Sequence, residues 1–162
     1  MTATEFLERY WDLLLPVNID DLIKRNNIEV KPLSKDLGCH YQGIATDDYQ
    51  SDRKIIYVDP DLKPNEMRFY KAHALGHHIL GHLKNKMSFL DNLISINSNS
   101  IEEQEANLFA SEIIVPSEAV LRLAGSKGFR TEYDLAVLFD VSIGAIHEKL
   151  QILKIIPKDF WL

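Results

Sequence analysis

The feature that most constrains the fold is a histidine-rich segment, Lys71–His82, which holds four of the chain's 6 histidines. His73 and His77 are four residues apart, so on an α-helix their side chains lie one turn apart, about 40° from each other around the axis. Two imidazoles at this spacing can hold one metal ion. The pair lies at the edge of the apolar arc of the segment, which predicts a half-buried metal site.

The other two histidines of the segment, His78 and His82, fall on the polar side of the same helix at about 100° per residue. We therefore expect them to be more solvated than the first pair. The helix is predicted to run from about residue 65 to residue 82 or 83. Gly76 lies on the apolar arc, where a missing side chain predicts the close approach of another helix.

Position 74 departs from the pattern that zinc peptidases carry. In His-Glu-x-x-His, the glutamate beside the first ligand takes a proton from the water that attacks the substrate. This chain has Ala74 there. The residues that would hold the metal are present, whereas the general base is missing.

A second helix is predicted from Ile101 to near Val115. Ser100 and Glu103 have the spacing of a capping box at its start, and Pro116 disfavours a helical residue before it. This helix follows the histidine helix closely enough in the chain to supply a further ligand.

Glu105 falls inside the apolar arc of this second helix, with Glu102 at about 60° from it. An inward carboxylate is costly unless a cation or hydrogen-bond donors meet it. Glu105 is therefore predicted as the third metal ligand in preference to Glu102. Two histidines and a carboxylate are typical of a catalytic zinc site with one position left for water or substrate.

A purely structural interpretation stays open beside the metal site. A paired-histidine helix can be a satisfied feature of a hydrophobic core. Inward glutamates can bond Arg68, Lys71 or free backbone groups.

Composition restricts the class of protein. With 162 residues, 46% hydrophobic and 26% charged, the chain is typical of one soluble globular domain. No apolar run is long enough to span a bilayer, and the first residues do not resemble a signal peptide. A single cysteine, Cys39, excludes an internal disulfide and favours a reducing compartment, so a cytoplasmic location away from membranes is predicted.

The segment Thr131–Leu150 resembles a helix-turn-helix, with Ser142 at the N-cap of its second helix. A DNA-reading helix offers arginine, asparagine or lysine to base edges. From Ser142 to Gln151 this helix has only Lys149, offset by Glu148, and His147. Together with a net charge of -6, this favours packing or partner binding over direct DNA binding.

The segments Arg68–His82 and Glu105–Pro116 together resemble the ImmA/IrrE family of metallopeptidases. That family typically has Arg-Phe-x-x-Ala-His-Glu-Leu-Gly-His, then Glu-Ala-Asn-x-Phe-Ala and a hydrophobic run to Pro. The likeness covers most of the chain. It implies zinc as the metal, with His73, His77 and Glu105 as its ligands and position 74 as the general base.

The resemblance also implies an α+β fold. We expect a zincin-like metallopeptidase domain with a small antiparallel sheet over residues 1–125. A C-terminal helical subdomain, helix-turn-helix-like, is expected to pack on it over residues 126–162. His82 or Tyr70 could donate a hydrogen bond to the oxyanion in an active form, but no spacing selects one of them.

Members of this family, encoded by phages, mobile elements and bacterial chromosomes, relieve repression by cleaving or otherwise inactivating a helix-turn-helix repressor. The resemblance therefore predicts a zinc-dependent endopeptidase and antirepressor, disabled here by Ala74, because losing a general base costs about 10²–10⁴ in rate. Ala74 is either a deliberate Glu→Ala substitution or a natural loss. The intact remainder of the site favours the first. The alternative function is a non-catalytic antirepressor that inactivates the repressor by binding.

Overall fold

The computed structural model describes residues 1–34, 43–48, 53–85, 88–91, 100–124 and 131–157. Cys39 and the predicted domain boundary between residues 125 and 126 lie outside these ranges, so both remain predictions. No helix in the described ranges combines the length and the apolar character that crossing a bilayer requires.

The described residues form helices around one small sheet. The helices are α1 (Ala3–Tyr10), α2 (Ile19–Arg25), α3 (Pro64–Leu80), α4 (Ile101–Ile114), α5 (Ser117–Ala124), α6 (Glu132–Phe139) and α7 (Ile143–Ile152). A short 3₁₀ turn, His82–Asn85, follows α3. The strands are β1 (Ile28–Pro32), β2 (Gly43–Asp48), β3 (Arg53–Val58) and β4 (Ser88–Asp91).

The sheet has the strand order β1-β3-β2-β4. The predicted α+β class is confirmed, but the sheet is mixed rather than wholly antiparallel. β2 pairs antiparallel with both β3 and β4, so one edge of β3 is taken by its hairpin partner. β1 occupies the other edge and runs parallel to β3, with Ile28 opposite Lys54. Strand propensity gives no direction of pairing, so the sequence could not predict this parallel pair.

Helix α3 lies at the centre of the fold, with α4 on one side and strands β2 and β3 on another. A helix covered on several sides is buried around most of its circumference. The buried residues accordingly run without interruption from Ala72 to His78. The sheet therefore covers the side of α3 that the helical wheel assigned to solvent.

Gly76 marks the point where α3 crosses α4. A Cβ placed on Gly76 would lie 3.2 Å from Cδ1 of Phe109 and 3.3 Å from Cα of Ala106. Both distances are shorter than ordinary van der Waals contact, so any larger residue here would require the facing atoms of α4 to move away. The predicted close approach of another helix at Gly76 is confirmed.

The C-terminal helices form the predicted helix-turn-helix arrangement. Ser142 caps α7, because its Oγ accepts a hydrogen bond from the backbone N–H of Ala145 at 3.2 Å. Between the helices, Asp140 has a left-handed backbone conformation with φ 54°. The buried apolar side chains of α6 and α7, including Leu135 and Ile146, belong to the same hydrophobic cluster as the rest of the core.

Two polar contacts join these helices to α3 and α4. Arg68 of α3 donates from Nη1 to the carbonyls of Phe139 (3.0 Å) and Asp140 (2.8 Å) at the end of α6. Lys149 of α7 is buried and pairs with the carboxylate of Glu112 on α4. The helix-turn-helix is thus held against α3 and α4 by charged side chains as well as by apolar packing.

Candidate metal centre

Three buried side chains converge where α3 and α4 cross: His73, His77 and Glu103. Nε2 of His73 lies 3.0 Å from Nε2 of His77. The carboxylate of Glu103 lies 3.2 Å from Nε2 of His73 and 3.8 Å from Nε2 of His77. Among the described residues, these three form the one group of histidine, cysteine or acidic side chains that is close enough to share a metal ion.

The spacing of this group matches what zinc requires. Ligand atoms bound at about 2.0–2.2 Å to a tetrahedral ion are separated from each other by about 3.3–3.6 Å. The three observed separations, 3.0, 3.2 and 3.8 Å, bracket that value. Two imidazole nitrogens and one carboxylate oxygen are also a donor set that zinc uses in catalytic sites.

The carboxylate of Glu103 gives a second, independent indication of a cation. Glu103 is only 5% exposed, and its Oε2 accepts no hydrogen bond from the described residues, although Nε2 of His73 is close by. A buried carboxylate oxygen without a donor is costly. A metal ion between this oxygen and the two imidazoles would remove that cost, so the three residues fit zinc.

The structure places Glu105 outside this group, so the inward orientation predicted for its side chain is wrong. Its side chain is 53% exposed, and Oε2 lies 3.0 Å from Nε2 of His82. The apolar arc predicted for this helix included Ile101 and Leu108, but these two side chains are 71% and 69% exposed. Apolar residues at the surface are common, and here they moved the estimated buried arc onto Glu105.

Glu103 was missed because its position also fits a helix cap. Ser100 does cap α4, since its Oγ accepts from the backbone N–H of Glu103 at 3.3 Å, but the Glu103 carboxylate is directed to the histidines. The available signal was a stripe at helical spacing, in which Glu103 is followed by Ala106, Ala110 and Ile113.

Glu102, the predicted alternative to Glu105, is not part of the group either. Its Oε2 accepts a hydrogen bond from Oγ of Ser100 at 3.0 Å. Glu102 therefore stays at the start of α4, beside the cap.

His82 lies much closer to the site than the wheel indicated. Helix α3 ends at Leu80 and is capped by Gly81, which has a left-handed conformation with φ 81°, so His82 does not continue the helix. Its Nδ1 lies 3.0 Å from Nδ1 of His77, and its side chain is 7% exposed. The expectation that His82 is solvated is therefore wrong.

His78 is also buried, against the sheet rather than in solvent. Its Nε2 donates to the carbonyl of Ile55 at 3.2 Å, and Nδ1 lies 3.3 Å from Oδ1 of Asp47. Burial lowers the pKa of His78, and the hydrogen bond to Ile55 and the charge of Asp47 offset that effect only in part. His78 therefore connects α3 to the sheet.

Ala74 and Tyr70 are both buried on α3. Ala74, at the position of the general base, is fully enclosed and belongs to the hydrophobic core. Tyr70 lines a groove of about 790 Å³ between α3, α4 and α7, together with Phe69, Asn107, Leu108, Val141 and Ile152. Phe69 stacks on the His73 ring at 6.0 Å, so the groove begins beside the candidate site. The predicted role of Tyr70 at the oxyanion remains a prediction.

The chain matches the model of a known protein family. The model of the family Peptidase_M78, described as the IrrE N-terminal-like domain, matches residues 33–151. The matched region contains His73, His77 and Glu103 and extends into α7. No curated protein matches the chain.

Proposed function

Because this chain belongs to the IrrE N-terminal-like family of M78 metallopeptidases, we propose that it has the architecture of a zinc-dependent endopeptidase and antirepressor. The proposed target is a helix-turn-helix repressor of a phage or mobile element. The observation that carries the proposal is the buried group of His73, His77 and Glu103. In this chain Ala74 takes the place of the general base, so the proposed state is catalytically disabled.

Each residue of the group has a distinct part in this proposal. His73 and His77 would hold the metal through Nε2, and the Glu103 carboxylate would supply the third ligand and balance charge. Zinc, when bound, supplies a Lewis acid that polarises the scissile carbonyl. A glutamate at position 74 would accept the proton of the attacking water, which the methyl group of Ala74 cannot do.

The sequence around Ala74 bears on the origin of the alanine. A deliberate Glu→Ala substitution leaves every other position of the His-x-x-x-His motif in place, and that is the state of this chain. A natural loss of the base would leave the same sequence. We favour the first explanation, because no other residue of the proposed site is altered.

The C-terminal helices support a protein partner rather than DNA. Lys149, the one lysine or arginine on α7, is buried and paired with Glu112, so it is not available to phosphates or base edges. The net charge of -6 also opposes binding to a phosphate backbone. A repressor segment is therefore the proposed ligand of the groove between α3, α4 and α7.

A second candidate is a non-catalytic antirepressor that inactivates the repressor by binding alone. The observation that favours it is the full burial of Ala74 in the hydrophobic core. In that case the metal would stabilise the fold, and the groove beside His73 would hold the partner without cleaving it.

Installing the base separates the two candidates. The Ala74→Glu variant, loaded with zinc and incubated with the repressor encoded beside it, should cleave that repressor about 10²–10⁴ times faster than the Ala74 chain. The matched control adds His73→Ala to Ala74→Glu, and it should not cleave. Intact repressor after prolonged incubation with folded, zinc-loaded Ala74→Glu, together with stable binding, would establish the non-catalytic function instead.

A further inference from the structure

Beyond the three candidate ligands, a line of hydrogen-bonding groups runs from His77 to the surface. Nδ1 of His77 lies 3.0 Å from Nδ1 of His82. Nε2 of His82 in turn lies 3.0 Å from Oε2 of Glu105. The two imidazoles and the carboxylate are thus joined end to end.

The carboxylate of Glu105 determines which ring nitrogens of His82 and His77 carry a proton. A carboxylate accepts hydrogen bonds only, so Nε2 of His82 carries the proton and donates it to Glu105. In the neutral ring Nδ1 of His82 is then an acceptor, and Nδ1 of His77 must donate to it. Nε2 of His77 is then the acceptor nitrogen of the ring, and it lies 3.0 Å from Nε2 of His73 and 3.8 Å from the Glu103 carboxylate.

We propose that His82 and Glu105 are positioning residues that hold His77 in the tautomer that binds metal through Nε2. The inference rests on the proposed metal site. An acceptor that bonds the other ring N–H of a ligating imidazole orients the ring and raises its basicity. His82 would act directly on His77, and Glu105 would act through His82.

The burial of His82 and Glu105 predicts which of them contributes more to metal binding. The side chain of His77 is fully enclosed and that of His82 is 7% exposed, so their mutual hydrogen bond is shielded from water. Glu105 is more than half exposed, where water can replace it as acceptor. The loss of His82 should therefore weaken metal binding more than the loss of Glu105.

The turn at Gly81 makes this arrangement possible. Were α3 to continue, His82 would point away from His77, about 140° around the helix axis. The left-handed conformation of Gly81 ends the helix and returns the imidazole of His82 to the Nδ1 side of His77. Because Nδ1 and Nε2 lie on different sides of the His77 ring, His82 supports the ligand without entering the metal group.

Zinc affinity, measured by competition with a chromophoric chelator, tests the proposal in the full chain. His82→Ala should weaken zinc binding about 10–100-fold, the usual effect of removing an outer-shell partner. His82→Asn should recover much of that affinity, because its amide oxygen can replace Nδ1 as the acceptor for His77. Glu105→Ala should cause a smaller loss. The matched control is His147→Ala, which removes another histidine that lies 3.0 Å from a glutamate, Glu132, and it should leave zinc affinity unchanged.

A spectroscopic readout identifies the tautomer itself. Imidazole ¹⁵N spectra of the zinc-loaded chain should show His77 protonated at Nδ1 and His82 protonated at Nε2. The His77 signals should change in His82→Ala and stay close to those of the parent chain in His82→Asn.

The outcomes separate the positioning role from the metal site. Zinc binding that survives His73→Ala and Glu103→Ala would overturn the proposed site. Zinc binding that needs those residues but is equal in His82→Ala and the parent chain would overturn the positioning role alone. Equal losses in His82→Ala and His82→Asn would also overturn it. So would a change in ligand number in the cobalt-substituted His82→Ala spectrum, because His82 would then be a ligand.

Discussion

Gly76 of α3 lies directly against Phe109 of α4, so that an added Cβ would be 3.2 Å from the phenyl ring. The same contact sets the distance between the helix that carries the histidines and the helix that carries Glu103. Cα of Ala106, one turn after Glu103, would be 3.3 Å from that Cβ. The approach of the two helices at Gly76 therefore determines how far Glu103 lies from His73 and His77.

The first prediction concerns this crossing. Gly76→Ala should lower the free energy of unfolding by up to about 2 kcal/mol, because a helix-propensity gain of about 1 kcal/mol offsets only part of an overpacking cost of about 1–3 kcal/mol. It should also weaken zinc binding by moving α4 outward. Urea unfolding and chelator competition would measure the two effects.

Gly144 offers a matched control for this substitution. It lies in α7, where the nearest side-chain atom to an added Cβ is Oγ of Ser142 at 3.9 Å. Gly144→Ala should be neutral or stabilising by up to about 1 kcal/mol. If both substitutions have the same effect, close packing is not the function of Gly76.

The second prediction distinguishes Glu103 from Glu105 by metal-linked stability. Zinc at 100 times its Kd should stabilise the parent chain by about 2.7 kcal/mol. Glu103→Ala should lose most of this stabilisation, because it removes a ligand, whereas Glu105→Ala should keep most of it. Thermal unfolding with zinc and with a chelator would measure the difference. A larger loss of zinc stabilisation in Glu105→Ala than in Glu103→Ala would identify Glu105 as the third ligand.

The third prediction concerns the buried ion pair between α7 and α4. Lys149→Met should cost about 1–3 kcal/mol, because it leaves the partly buried Glu112 without its cation. Glu112→Ala should cost more, since Glu112 also accepts from the backbone N–H and the hydroxyl of Ser117, at 2.8 and 2.7 Å. Denaturant unfolding of both single variants and of the double variant would give the coupling energy. A coupling energy near zero would contradict the pairing.

The fourth prediction concerns acid sensitivity at His78. Burial lowers the pKa of His78 in the folded chain, so below about pH 6.5, the ordinary value, the unfolded chain binds more protons there. Stability should be highest above that pH and fall as the pH drops towards the folded pKa. His78→Gln should reduce this dependence, measured by urea unfolding at several pH values with a chelator present. An unchanged pH profile would show that His78 is not the responsible group.

Much of the fold could be predicted from local signals in the sequence. The histidine spacing, the Ser100 and Ser142 caps and Gly76 each depend on the residues of one helix, and the structure agrees with all of them. The direction of β1 and the burial of His78 depend on which strand or sheet face lies alongside. Those relationships are set by tertiary packing, which no periodicity within a single segment encodes.

The third candidate ligand also depends on both local signals and tertiary packing. The sequence predicted that α4 supplies a carboxylate to the candidate group, and three glutamates, Glu102, Glu103 and Glu105, lie within one turn. Glu103 and Glu105 lie about 160° apart around the helix axis, so an error in the estimated orientation of the helix selects the wrong one. Exposed Ile101 and Leu108 introduced that error, and only the crossing at Gly76 fixes which face of α4 meets the histidines.

The turn between α6 and α7 places two separate demands on Asp140. Its backbone is left-handed, with φ 54°, and its carboxylate accepts a hydrogen bond from Nη1 of Arg68 at 3.0 Å. Glycine and asparagine tolerate that backbone but lack the charge, whereas glutamate has the charge but fits the backbone poorly. In a library of all twenty residues at this position, selected for stably folded protein, aspartate should be recovered most often and asparagine next, although the side chain is 59% exposed.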